Sequence, residues 1–165
     1  MPPKWVPTPA TIKNYLNVFI RIPFWTYIKN TFAVAILPVI GELISVPLVT
    51  YSITKIEWKG AKIIFGLVLI TMMVPWQVTQ IPLFTTWSKL GLVNTYTPLV
   101  LPAFFGGSYY IYLMRQFMVG IPNSFIESAR IDGASEFKIV KTIMMPLCKP
   151  ILTTIALMVF IGGWN

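Results

Sequence analysis

Histidine is absent from this 165-residue chain, cysteine occurs once, and there are only five acidic residues. Without histidine, neither an imidazole-based zinc site nor a serine–histidine catalytic triad can be assembled from this chain alone. A single thiol, Cys148, excludes an internal disulfide framework, and in a reducing cytoplasm it is expected to be inert. Charge of either sign is scarce: 11% of residues are charged, against about a quarter in ordinary soluble domains. The opening "MPPKWVPTPA" has no basic stretch leading into an apolar core, so it does not read as a signal peptide.

Apolar residues fill the space that charge leaves. They make up 56% of the chain, and the mean hydropathy is +0.72. Thirteen Lys and Arg against five Asp and Glu give a net charge of +8. No basic stripe is interleaved with solvated polar sequence, so nucleic acid is not an expected partner. The cations fall mainly at the ends of apolar runs, where lipid head groups would meet them.

A bilayer core of ~30 Å needs about 20 apolar residues in a helix. Four runs qualify or nearly so: residues 30–53, with Glu42 as the only charge; 63–84; 89–115, of which "GLVNTYTP" reads as a turn; and 150–165. The last run covers roughly 24 Å at ~1.5 Å per residue, so its helix is expected to begin earlier, near Ile143, and to stop short of a full crossing. Ahead of these runs, Thr8-Pro9 is a helix-start signal, and Ile12, Tyr15, Leu16, Phe19 and Ile20 share one helical face. A surface helix within residues 1–29 is one reading, and a frayed terminus is the other.

Lys55, Lys59 and Lys62 lie between the first two runs, and five cations lie within residues 115–149. Parity puts both loops on one side, and the positive-inside bias makes that side cytoplasmic. Lys4, Lys13, Arg21 and Lys29 then fall outside, against the rule, so a further span upstream is expected. Pro38, Pro47, Pro75, Pro82, Pro98 and Pro102 punctuate the runs. They demand neighbours that satisfy the freed carbonyls.

One stretch departs from this apolar pattern: "IPNSFIESARIDGASEFKIVKTIMMP". Ser124 and Glu127 stand in capping-box relation, and Glu127 and Arg130 are spaced as an i,i+3 ion pair. Gly133 predicts a helix end, because glycine enters the left-handed region freely. A second helix is expected over 134–144, with Phe137, Val140, Ile143 and Met144 on one face and a kink at Pro146. A docking elbow and an ordinary solvated loop are both compatible with this pattern.

The same stretch carries a family resemblance. Glu127, Ala129, Gly133, Ile143 and Pro146 fill the spacing E-x-A-x3-G-x9-I-x-x-P, which resembles the "EAA" loop of permease subunits of binding-protein-dependent ABC importers. Ser128 and Met145 depart from the family's alanine and leucine. "MMVPWQVTQIPLF", "LGLVNTYTPLVLP" and "FIGGWN" further resemble carbohydrate importers of the maltose type.

The resemblance implies an all-α, polytopic transmembrane bundle in a bacterial or archaeal inner membrane. Such permeases have six spans, so about four are expected here and the chain is expected to be incomplete. Residues 1–29 would be external, 30–119 would hold three spans, 120–149 the cytoplasmic loop, and 150–165 the start of a last span.

Implied partners are a dimeric ABC ATPase, a second permease subunit, an extracytoplasmic solute-binding protein, a sugar substrate and membrane lipid. ATP and magnesium would bind the ATPase, leaving this chain without a catalytic residue, cofactor or metal. Within the loop, Phe137 and Val140 would anchor in the ATPase cleft, and Gly133 would set the angle between helices. Glu127, Asp132 and Lys138 would supply polar contacts, with Ser128, Ala129 and Ala134 completing the motif. Force would pass through a helix continuous over 143–152, shaped by Pro146 and Pro150.

Glu42, Trp76, Gln77 and Gln80 are candidates for a substrate path, because an embedded carboxylate, an aromatic face and amides suit a sugar. Each also has a plain structural reading, as a packing or head-group residue. Gly41 and Ser45 suggest close helix contact. A gradient-coupled carrier and a non-transporting interaction protein remain alternative functions.

Overall fold

The computed structural model describes residues 12–164, so the Thr8-Pro9 start signal and Asn165 lie outside the described residues. In chain order the helices are α1 (Lys13–Arg21), α2 (Phe24–Lys55), α3 (Ala61–Met73), α4 (Trp76–Lys89) and α5 (Thr97–Val100). A 3-10 turn (Leu101–Phe105) leads to α6 (Ser108–Val119) and α7 (Ser124–Ile131). Then come α8 (Glu136–Ile139), a π turn (Val140–Met144), α9 (Met145–Leu147) and α10 (Lys149–Trp164). The all-α class that the resemblance implied is observed among the described residues.

Among the described residues, only α2 is by itself long and apolar enough to cross a bilayer. Its 32 residues extend over ~48 Å, and residues 24–29 form its first turns. The run 63–84 is not one straight helix. α3 and α4 form a pair bent by 100°. The cause is Pro75, which pushes Val74 out of the helical region to ψ 118°. The run 89–115 is likewise divided, its helix α6 starting only at Ser108 after two glycines. α10 covers most of the run 150–165, and its Trp164 packs edge-on against Phe32 with ring centroids 5.4 Å apart.

α2 is the axis against which the others pack. Glycine decides two of these approaches. A Cβ on Gly163 would lie 3.0 Å from Ala35 Cα, so α10 crosses α2 backbone to backbone. A Cβ on Gly41 would lie 2.8 Å from Phe104 and 3.0 Å from the Ala103 carbonyl carbon, so the 3-10 turn is seated in a notch. Ser45 Oγ, one turn on, lies 3.0 Å from the Ala103 carbonyl oxygen and 2.9 Å from the Gly41 carbonyl oxygen, either of which can accept its proton. The anticipated contact through Gly41 and Ser45 is thus present.

The core joins α2 (Val46, Tyr51), α6 (Met114, Met118) and α10 (Ile155, Val159) to the polar stretch, through Ile126 and Ile139. α3 is tied in by Arg115, whose guanidinium carbon sits 3.9 Å from the centre of the Phe65 ring. α1 leaves Ile12, Tyr15, Leu16, Phe19 and Ile20 exposed, an apolar stripe of the kind that lies on a lipid surface.

Gly41→Val forces a branched side chain into the Phe104 contact and should cost about 1–3 kcal/mol. The measurement is the thermal unfolding midpoint in detergent. Gly66→Val, at a position with nothing within 4 Å, should leave that midpoint unchanged.

Candidate functional site

The polar stretch folds as an elbow. α7 ends in a double hydrogen-bonded corner: the Gly133 amide donates to the Arg130 carbonyl at 3.0 Å, and the Ala134 amide to the Ala129 carbonyl at 2.9 Å. Gly133 takes φ +76°, the left-handed conformation the sequence predicted for it. Ser135 then caps α8, its hydroxyl accepting from the Lys138 amide at 3.4 Å.

The start of α7 differs from expectation. Asn123 is the N-cap, and no side chain caps the helix, so the Ser124–Glu127 capping box does not form. The Ile126 and Glu127 amides bond instead to the Asn123 carbonyl, at 2.8 and 3.0 Å. The Asn123 side chain is already engaged, accepting from Lys55 Nζ at 2.8 Å; Lys55 also donates to the Ile121 carbonyl at 2.6 Å. Nor does Arg130 pair with Glu127. Its Nε donates to Glu136 Oε1 at 2.7 Å, across the corner. The second oxygen of Glu136 accepts from the Tyr51 hydroxyl of α2 at 2.5 Å.

The elbow has two faces. Ile126 and Ala129 of α7, with Ile139, Val140 and Met144, are buried in the chain's own core. This corrects the expectation for Val140: only 4% exposed, it is not available as an anchor for another protein. Val140 follows directly on the buried Ile139 and opens a π turn, in which the Met145 amide bonds back five residues to the Val140 carbonyl. The wider turn rotates the residues after it, so Met144 and Cys148 are buried as well. Ala129, although part of the motif, also faces inward, and Ala134 is half-buried. The outer face carries Phe125, Ile131 and Phe137, which are 48%, 86% and 67% exposed. Glu127, Ser128, Asp132 and Lys138 are exposed around them.

The expected continuous helix over 143–152 is absent. Residues 136–147 meet α10 at 81° across Cys148. Pro150 explains the break, since it has no N–H for the Pro146 carbonyl and its ring would clash there. Pro146 itself is accommodated inside α9 and is exposed.

The candidate substrate-path residues are placed in two different settings. Glu42 is buried, and both its oxygens accept from the Gly107 amide, at 2.8 and 3.1 Å, at the start of α6. Trp76, Gln77 and Gln80 are exposed on α4, a helix that buries none of its residues. Three residues that matter at the elbow, Tyr51, Asn123 and Glu136, were not singled out from sequence, and Lys55 was read only as a loop cation that sets orientation. Tyr51 counts as one more apolar residue in a span, and the only available signal was its i,i+4 spacing to Lys55 at the helix end.

Residues 43–165 match the family described as "Binding-protein-dependent transport system inner membrane component". The chain is 34% identical over 160 residues to the arabinooligosaccharides transport system permease protein AraQ of Halalkalibacterium halodurans, covering 96% of this chain and 57% of that one. It is 32% identical over 143 residues to the sn-glycerol-3-phosphate transport system permease protein UgpE of Salmonella typhi, covering 87% and 50%. Among solved structures it resembles a bacterial ABC transporter involved in the import of the acidic polysaccharide alginate. The TM-score is 0.77 at 33% identity, over 86% of this chain and 50% of the other. The chain spans about half the length of the curated relatives it matches. With its all-helical fold, its glycine-hinged elbow and this match over most of its length, the chain belongs to the family of inner-membrane components of binding-protein-dependent transport systems.

Proposed function

We propose that the chain acts within the permease subunit of an ATP-driven importer and that its elbow is the part an ATPase grips. The observation that carries this reading is the outer face of the elbow. Phe125, Ile131 and Phe137 each stand exposed on an element that also buries Ile126, Ala129, Ile139 and Val140 in the chain's own core. Apolar side chains held out by a rigid support suit a cleft on another protein. Glu127, Ser128, Asp132 and Lys138 supply the polar rim. Phe137 keeps the anchoring role expected of it, and Ile131 and Phe125 take the place of Val140.

Nucleotide chemistry belongs to the partner: a dimeric ATPase binds ATP and magnesium below the membrane. A second permease subunit completes the pathway, and an extracytoplasmic binding protein delivers the solute. Location in the bacterial cytoplasmic membrane follows from this assembly, with residues 120–149 on the inner side. A sugar or oligosaccharide is the favoured solute, because the relatives named above are described as handling arabinooligosaccharides, sn-glycerol-3-phosphate and alginate. A gradient-driven carrier is disfavoured, because the embedded carboxylate of Glu42 is already engaged by Gly107.

The deciding experiment is transport into vesicles with ATP supplied inside, compared with an imposed ion gradient. Uptake that needs ATP and a co-purifying ATPase supports the reading; gradient-driven uptake without one overturns it. Gly133→Val should leave membrane insertion intact while reducing transport at least several-fold, because a branched residue at φ +76° strains the corner by ~1–2 kcal/mol. Phe137→Asp should weaken ATPase capture tenfold or more, since burying a phenylalanine contributes about 1.5–3 kcal/mol. The check is the amount of ATPase retained on immobilised permease.

A further inference from the structure

We propose that Tyr51, Glu136 and Arg130 form a latch through which movement of the elbow reaches α2, so that α2 is the driven helix. This rests on the ATP-driven reading above and adds the route by which the motion enters the membrane.

The covalent route is poorly suited to that task. α9 and α10 meet at 81° across Cys148, and Pro150 removes the hydrogen bond that would stiffen the joint. A push on the elbow can therefore be absorbed there as a change of angle.

The side-chain route has no such joint. Glu136 gives one carboxylate oxygen to each of two partners on different elements. Arg130 Nε on α7 donates to the first at 2.7 Å, and the Tyr51 hydroxyl on α2 donates to the second at 2.5 Å. Both arms of the elbow and the long span thus converge on one side chain. The Tyr51 ring is buried, 2% exposed, so its hydroxyl is held at a fixed point and cannot follow the elbow by swinging. One turn further along α2, Lys55 repeats the connection, bonding the Ile121 carbonyl at 2.6 Å and the Asn123 side chain at 2.8 Å. Tyr51 and Lys55 share a helical face by their i,i+4 spacing. Two ties on one face resist rotation as well as separation.

The chemistry is specific to the pairings observed. A glutamine at 136 has one carbonyl oxygen where two donors each had one, so the Arg130 Nε and the Tyr51 hydroxyl can both be met only if that hydroxyl turns round to accept from the amide N–H, and the charge of the carboxylate is lost in either case. A phenylalanine at 51 fills the same space and removes only the hydroxyl.

The test uses Tyr51→Phe, Glu136→Gln and the double variant in the assembled importer, with two readouts. The first is backbone hydrogen exchange over residues 124–144. The second is solute carried per ATP hydrolysed. The latch predicts that Tyr51→Phe speeds exchange several-fold with no change in the thermal midpoint and lowers solute per ATP several-fold. The double variant should be no worse than the more damaging single one, as expected for partners in one interaction.

Wild-type exchange and coupling in Tyr51→Phe would overturn the proposal, and so would losses that multiply independently in the double variant. Faster exchange with unchanged solute per ATP would leave a structural tie and refute the transmission role. If Glu136→Gln does not assemble, the Tyr51→Phe result decides alone. Uptake by the wild-type protein that needs no ATP would refute the ATP-driven reading instead, and the exchange measurement would still report on the latch.

Discussion

The bond between Glu42 and the Gly107 amide holds the rest in place. A carboxylate in the middle of an apolar helix is costly unless charge-assisted hydrogen bonds answer it. Here both oxygens reach one N–H at the N-terminus of α6, where the helix dipole also favours negative charge. Gly41 beside it admits the Phe104 ring, and Ser45 completes the notch from one turn away. Once α6 is seated, Ile111, Met114 and Met118 present an apolar wall alongside Val46 and Tyr51 of α2. The inner face of the elbow can bury Ile126, Ile139 and Met144 only because that wall exists.

The elbow divides its surface between a buried and an exposed face, and the division is made by backbone geometry rather than by composition alone. In a regular α-helix Val140 and Met144 lie near Phe137, and one apolar stripe would have to choose between core and surface. The π turn at Val140–Met144 separates them, sending the later positions inward while Phe137 stays out. Gly133 sets the other half of the arrangement by turning the chain at a position no branched residue occupies comfortably. The outer apolar patch therefore owes its exposure to the firmness of the inner one.

How much could be read from sequence depends on how local each signal is. Gly133 was readable because a C-terminal corner depends on one residue's φ, and α10 because it is one uninterrupted apolar run. The Gly41–Ser45 contact was readable from spacing. The capping box at Ser124 failed because Lys55, sixty-eight positions from Asn123, draws its side chain away and the helix starts one residue sooner. Arg130 chose Glu136 over Glu127 for a similar reason, since the Tyr51 hydroxyl already holds that carboxylate in position. Glu42 was open to both a pathway and a structural reading; its bond to the Gly107 amide accords with the structural one, though no side-chain pattern announces a backbone partner. The family resemblance identified the elbow but not which of its apolar residues face outward.

Prolines show the same dependence on surroundings. α2 carries Pro38 and Pro47 and remains one helix of 32 residues, whereas Pro75 and Pro150 stand at bends of 100° and 81°. α2 is packed on α6, α10 and the 3-10 turn, and Pro47 lies buried among them, so the missing bond is backed by neighbours. Nothing in α3 or α4 is buried, and Cys148 sits where two helix ends meet rather than inside one. A proline thus becomes a joint only where packing does not splint it. The chain places its splinted prolines in the helix that Tyr51 and Lys55 hold, and its unsplinted ones to either side. That distribution leaves α2 as the one long unbroken helix of the fold, with the bends confined to the elements on either side of it.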